Sequence, residues 1–186
     1  MTTNRVQFTA IDIVPSFGVP IYIQQVEVPL GNRQHSRRVL MSHEGRTVKN
    51  DAATEYSAWR VLIHTQLDNY KAMIGVNPDQ AFTLLESFVR VIQPGQSYTI
   101  ESREDSIFSG LFFLDDPGGD MIYSRGGDSW FTDTGIDFFQ DNLLNSNQFT
   151  FTPKEGNLTI YPSSLSLQVT ENTTDAKAYV VEFYLK

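Results

Sequence analysis

Apolar and polar positions alternate along most of this chain, and only one stretch breaks into a longer period. From residue 82 onward, short runs rich in β-branched and aromatic residues recur at 83–92, 98–101, 108–114, 121–123, 149–152, 157–161, 165–169 and 178–185. Runs of that length and composition predict strands. Turn chemistry separates them, at Pro94-Gly95, Asp116-Pro117-Gly118-Gly119, Gly126-Gly127, Pro153 and Pro162. Two more strands are expected over 5–13 and 20–28, where Val6, Phe8, Ile21 and Ile23 carry the alternation. Residues 31–50 are polar and without period. Then Tyr56, Trp59, Ile63, Leu67, Tyr70 and Ile74 step by three or four positions, which predicts an amphipathic helix over 52–74. Gly75 is its expected stop, with Pro78 just beyond. Many short strands behind one packing helix predict a mainly β, antiparallel sandwich of jelly-roll type.

Composition narrows the class. Hydrophobic residues make up 40% of the 186 positions, enough to bury a core and to exclude a disordered chain. No repeat or linker interrupts the sequence, so one jelly-roll domain over 1–186 is expected, including an N-terminal strand pair and a loop at 31–49. There is no cysteine, which excludes disulfides, thiolate catalysis and cysteine-held metal clusters. The first residues lack the apolar core and cleavage site of a secretory signal. No apolar run approaches the roughly 20 residues needed to cross a bilayer, so no membrane partner is expected.

The net charge of −8 is unevenly placed. Within 31–49, Arg33, Arg37, Arg38, Arg46 and Lys49 stand against Glu44 alone, a local net of +4 that leaves −12 elsewhere. An acidic body repels phosphate, so direct nucleic-acid contact is not expected. The basic loop reads either as a solvated connection or as an arm docking on an acidic neighbour, another copy of the chain included. On the second reading Arg33, Arg37, Arg38 and Arg46 are candidate subunit contacts.

Candidate chemistry is sparse. All three histidines, His35, His43 and His64, precede the strand-rich half. His64 borders the helix stripe and reads as a packing residue. His35 and His43 sit in the basic loop. Two Gly-Gly-Asp stretches, ending at Asp120 and Asp128, read as hairpin turns. With Asp115, Asp116 and Asp133 they also offer oxygen ligands for calcium, although without EF-hand spacing. The chain has no P-loop, no Gly-x-Ser-x-Gly elbow and no His-Glu-x-x-His.

Four stretches in order carry a resemblance. They are FGVPIYIQQV at 17–26, QPGQSYTIESREDSIFSGLFFLDDPGGDMIY at 93–123, FTPKEGNLTIYPSSLSLQV at 151–169 and AYVVEFYL at 178–185. Together they resemble the iron(II)/2-oxoglutarate-dependent oxygenases, in particular a small group found in marine bacteria and their phages. The resemblance implies a double-stranded β-helix. It also implies two histidines and a carboxylate on iron, with a basic residue for the co-substrate. Aligned without gaps, the first ligand positions fall on Glu101 and Arg103 and the second histidine on Leu167. The co-substrate positions fall on Ala178 and Val180. The resemblance with these departures implies a degenerate site, with no metal, no cofactor and no catalytic residue, hence a chain that is not an enzyme.

The segment NRVQFTAI at 4–11 resembles the opening of virion structural proteins of contractile-tailed marine phages. The expectation is therefore a non-catalytic structural component of a tailed-phage virion, at the neck, tail or baseplate, assembled in the host cytoplasm. Its partners would be other virion proteins and copies of itself, with no small-molecule substrate. Two alternatives stand beside it. One is an active oxygenase with rearranged ligands, using Glu101, Asp105 and His35 or His43; the other is a sugar- or ligand-binding jelly roll using Trp130 and Phe131.

Overall fold

The computed structural model describes residues 12–16, 19–26, 47–49, 57–125 and 148–186. The eleven strands in this part are β1 (Asp12–Ser16), β2 (Val19–Gln25), β3 (Thr47–Lys49), β4 (Leu84–Ile92), β5 (Tyr98–Ile100), β6 (Phe108–Phe113), β7 (Met121–Arg125), β8 (Gln148–Phe151), β9 (Asn157–Pro162), β10 (Leu165–Val169) and β11 (Ala178–Leu185). They form a seven-stranded sheet in the order β1-β2-β9-β6-β11-β4-β3 and a four-stranded sheet in the order β5-β10-β7-β8. All pairings are antiparallel. From β4 on, successive strands change sheets almost at each step, which is the winding of a double-stranded β-helix. The expected mainly β jelly roll is thus the observed fold.

Two cores follow from strand periodicity, because neighbouring side chains on a strand point to opposite faces. On β11, Val181, Phe183 and Leu185 face the helix, whereas Ala178 and Val180 face the smaller sheet. The helix α1 (Ser57–Ile74) lies on the outer face of the large sheet. Trp59, Ile63, Leu67 and Tyr70 fill that layer, with Trp59 4.8 Å from Phe112 and Tyr70 5.3 Å from Phe108 between ring centroids. The Tyr70 hydroxyl donates to the Pro20 carbonyl at 2.7 Å and ties the helix to β2. Gly75 ends α1 with φ 75°, a conformation that suits residues without Cβ, and Val76 N–H returns to the Lys71 carbonyl. Within the large sheet, β6 and β11 meet through an absence. A Cβ at Gly110 would lie 2.1 Å from the Phe183 ring, so only glycine lets that ring cross β6.

One element was not expected. Within the stretch read as irregular, residues 47–49 pair with Phe88, Ser87 and Glu86 of β4. Three residues show too short a period to register in sequence, and the pairing comes from the exposed edge of β4. The remaining basic-loop residues, among them Arg33, Arg37, Arg38 and Arg46, lie outside the described residues, as do His35, His43, Trp130, Phe131, Asp128, Asp133 and the 4–11 segment.

Candidate functional site

The corner at Tyr161-Pro162-Ser163 joins the two sheets, β9 in one and β10 in the other. Ser163 holds it. Its hydroxyl meets those of Ser106 at 2.9 Å and Ser109 at 2.7 Å, all three buried. Its N–H donates to the Ile107 carbonyl, and its own carbonyl accepts from Arg103 N–H. The Ser109-Gly110 pair and the Tyr-Pro-Ser corner are therefore one packed unit, fixed by backbone closeness and shared hydroxyls.

Past that corner lie the positions where the resemblance implies iron and co-substrate. Leu167 is fully buried, and its cross-strand partners are Ile100 on β5 and Tyr123 on β7. Ile100 points inward, so the following Glu101 does not; that side chain is exposed. A one-residue step in a strand changes the face, and the ungapped alignment therefore misses the residue opposite Leu167. Ala178 and Val180 are buried in the same inter-sheet core. Arg103 is held elsewhere. It forks onto Asp105, Nε to Oδ1 at 2.8 Å and Nη2 to Oδ2 at 2.6 Å, pairs with Glu86 through Nη1, and lies 3.9 Å over the Tyr184 ring. The Asp105 bond, against the cost of burial and with help from Glu86, raises the Arg103 pKa further, and Arg103 in turn holds the Asp105 carboxyl below its usual range.

Iron(II) needs imidazole or carboxylate donors converging on one point. Here the implied inward positions carry hydrocarbon, and Arg103 is already forked onto an acid. Among the described residues no three His, Asp or Glu side chains converge. The described residues do not fit iron at the implied position. Calcium fares no better at the described aspartates. Asp120 accepts from Thr152, Asp115 from the Tyr179 N–H, and Asp116 pairs with Lys154.

Polar chemistry is nonetheless present inside the jelly roll, one row deeper, and was not anticipated. Glu182 of β11 is 2% exposed and points between the sheets. Arg90 Nε donates to its Oε2 at 2.8 Å, and the Tyr184 hydroxyl donates to Oε1. The Arg90 guanidinium sits 4.9 Å over the ring of Tyr98 and so bridges from β4 to β5, one strand of each sheet. Around this pair stand the phenols of Tyr98, Tyr123 and Tyr161, all with pKa values pushed far up, first by burial. The signal was available: in AYVVEFYL, position 182 continues the inward series 178, 180, and an acid there is either paired or functional.

No protein-family profile matches the chain, and no curated protein is similar to it. Solved structures are. An oxidoreductase of the 2OG-Fe(II) oxygenase family from Burkholderia pseudomallei superposes with a TM-score of 0.53 at 9% identity, over 95% of this chain and 72% of its own. A Pseudomonas putida prolyl-4-hydroxylase gives 0.55 at 12% identity, over 88% and 87%. HygX from Streptomyces hygroscopicus, solved with nickel and 2-oxoglutarate bound, gives 0.57 at 12% identity, over 90% and 81%. At such identities the likeness establishes the fold, which is the jelly roll of the 2-oxoglutarate/iron(II) oxygenases. It corrects one expectation. Two of the structures just named, the oxidoreductase and the prolyl-4-hydroxylase, are enzymes, so the reading of the chain as a non-enzyme is withdrawn. They lend no support to a place in a virion.

Proposed function

We propose that the protein is an enzyme of the 2-oxoglutarate/iron(II) oxygenase type working with a rearranged donor set. The observation that carries this reading is the fold likeness over nine-tenths of the chain to a structure holding nickel and 2-oxoglutarate. The position at Leu167 plays no part in it, because a hydrocarbon cannot ligate a metal. The donors this reading calls on are the exposed carboxylates of Glu101 and Asp105 with His35 or His43. Asp105 is a poorer donor, since it would have to leave Arg103. Bound iron would supply the oxidising chemistry; the chain's own part is to hold it.

The test uses the full chain, incubated in air with iron(II), ascorbate and 2-oxoglutarate, with succinate and bound iron both measured. Stoichiometric iron and succinate formation are expected, each lost in the His35→Ala/His43→Ala double variant. A protein that retains no iron and forms no succinate would overturn the proposal.

A further inference from the structure

Four hydroxyl groups lie inside the jelly roll without a hydrogen-bond partner: those of Tyr98, Tyr123 and Tyr161 and Oγ1 of Thr159. They come from both sheets, Tyr98 and Tyr123 from β5 and β7, Thr159 and Tyr161 from β9. The rings of Tyr123 and Tyr161 meet edge to face, 5.0 Å between centroids. The Thr159 hydroxyl lies beside that of Tyr123, yet the two close no bond of normal geometry. Glu182 stands in the same cross-sheet row as Thr159, with Leu111 between them. One unpaired buried hydroxyl can be a local packing compromise. Four gathered from strands of both sheets are different, since each costs about 1–3 kcal/mol if it stays dry.

We propose that these hydroxyls form a binding site for a small uncharged polyhydroxyl molecule, held between the sheets behind Arg90. The chemistry of the walls selects that class. All three phenols keep their protons at working pH, so each group can both donate and accept, as a polyol's hydroxyls do. An anion would face the Glu182 carboxylate, and a cation would compete with Arg90 for it. The Tyr123 and Tyr161 rings add apolar surface for carbon-bound hydrogens. Access is past the Arg90 side chain, which is 37% exposed and joins the strands β4 and β5 of the two sheets by contact rather than by backbone pairing. The site requires no metal and stands apart from the oxygenase reading.

Saturation-transfer NMR on the iron-free full chain tests it, with glycerol, D-glucose and myo-inositol as uncharged probes and succinate as the anionic one. Transfer to at least one uncharged probe and none to succinate is expected. The Tyr123→Phe/Tyr161→Phe double variant should bind that probe at least roughly tenfold more weakly, the loss of one to two hydrogen bonds. No transfer to any uncharged probe, preference for succinate, or undiminished transfer in the double variant would each overturn the site. Urea unfolding with and without the probe gives a second reading: a probe that raises the midpoint of the parent but not of the double variant supports the site, and one that raises neither overturns it. If the double variant does not fold, Thr159→Val takes its place in both measurements with the same expectations.

Discussion

Arg90 and Glu182 show how much one buried pair decides. The carboxylate is almost wholly enclosed and the arginine side chain 37% exposed, so removing the guanidinium strands a charge that water cannot reach. Arg90→Leu should cost about 3 kcal/mol, the low end for breaking a buried pair, and Arg90→Leu/Glu182→Leu should recover most of it. Urea unfolding of the two single variants and the double variant measures the coupling directly. A loss in the double variant equal to the sum of the two single losses would show that the pair is not coupled. Single positions are also where sequence reading fell short. Leu167 lies inward, as its alternation with Leu165 and Val169 implies, but Glu101 was assigned by ungapped counting and faces out. Glu182 sat unread in an otherwise apolar strand. Its partner Arg90 is 92 residues away in sequence, joined only by the β4–β11 register.

At the scale of elements, the strand and helix periods were legible because each has one face in a core. The α1 stripe packs as its spacing predicts, and Trp59 is 5% exposed against Phe112. Trp59→Ala should therefore cost about 3–5 kcal/mol, read as a drop in the denaturant midpoint with the unfolding slope unchanged. Edge pieces were less legible: β3 exists only through its partner, and no local pattern announces it. His64 gives the helix a pH signature. Burial first, then Arg60 one turn away, lowers its pKa below the usual 6.5, and Asp68 opposes them only in part. The unfolded chain then binds more protons than the folded one between the folded pKa and 6.5, so this residue's contribution falls as pH drops through that window. His64→Gln should lose less stability than the parent between pH 7 and pH 5, compared by urea unfolding at both. Parallel losses in the two proteins would show that the histidine plays no part.

For the molecule as a whole, the order β1-β2-β9-β6-β11-β4-β3 places β11 inside the large sheet, flanked by β6 and β4. Those two strands precede it by many residues and do not pair with each other. A chain stopped after Lys177 should lack a cooperative unfolding transition, monitored by circular dichroism against urea. A sharp transition in that truncated chain would mean the remaining strands close the sheet alone. The same geometry governs how the protein is made. While a ribosome is still adding residues 178–185, β4 and β6 each present an unsatisfied edge and a hydrophobic face to solvent. Locking of the sheet has to wait for β11, which slots between two strands already outside the exit tunnel. A nascent chain of this topology is thus exposed to strand-swapping with its neighbours on the same message until β11 emerges. Its yield should depend on chaperone supply and growth temperature more than the stability of the finished sheet would suggest.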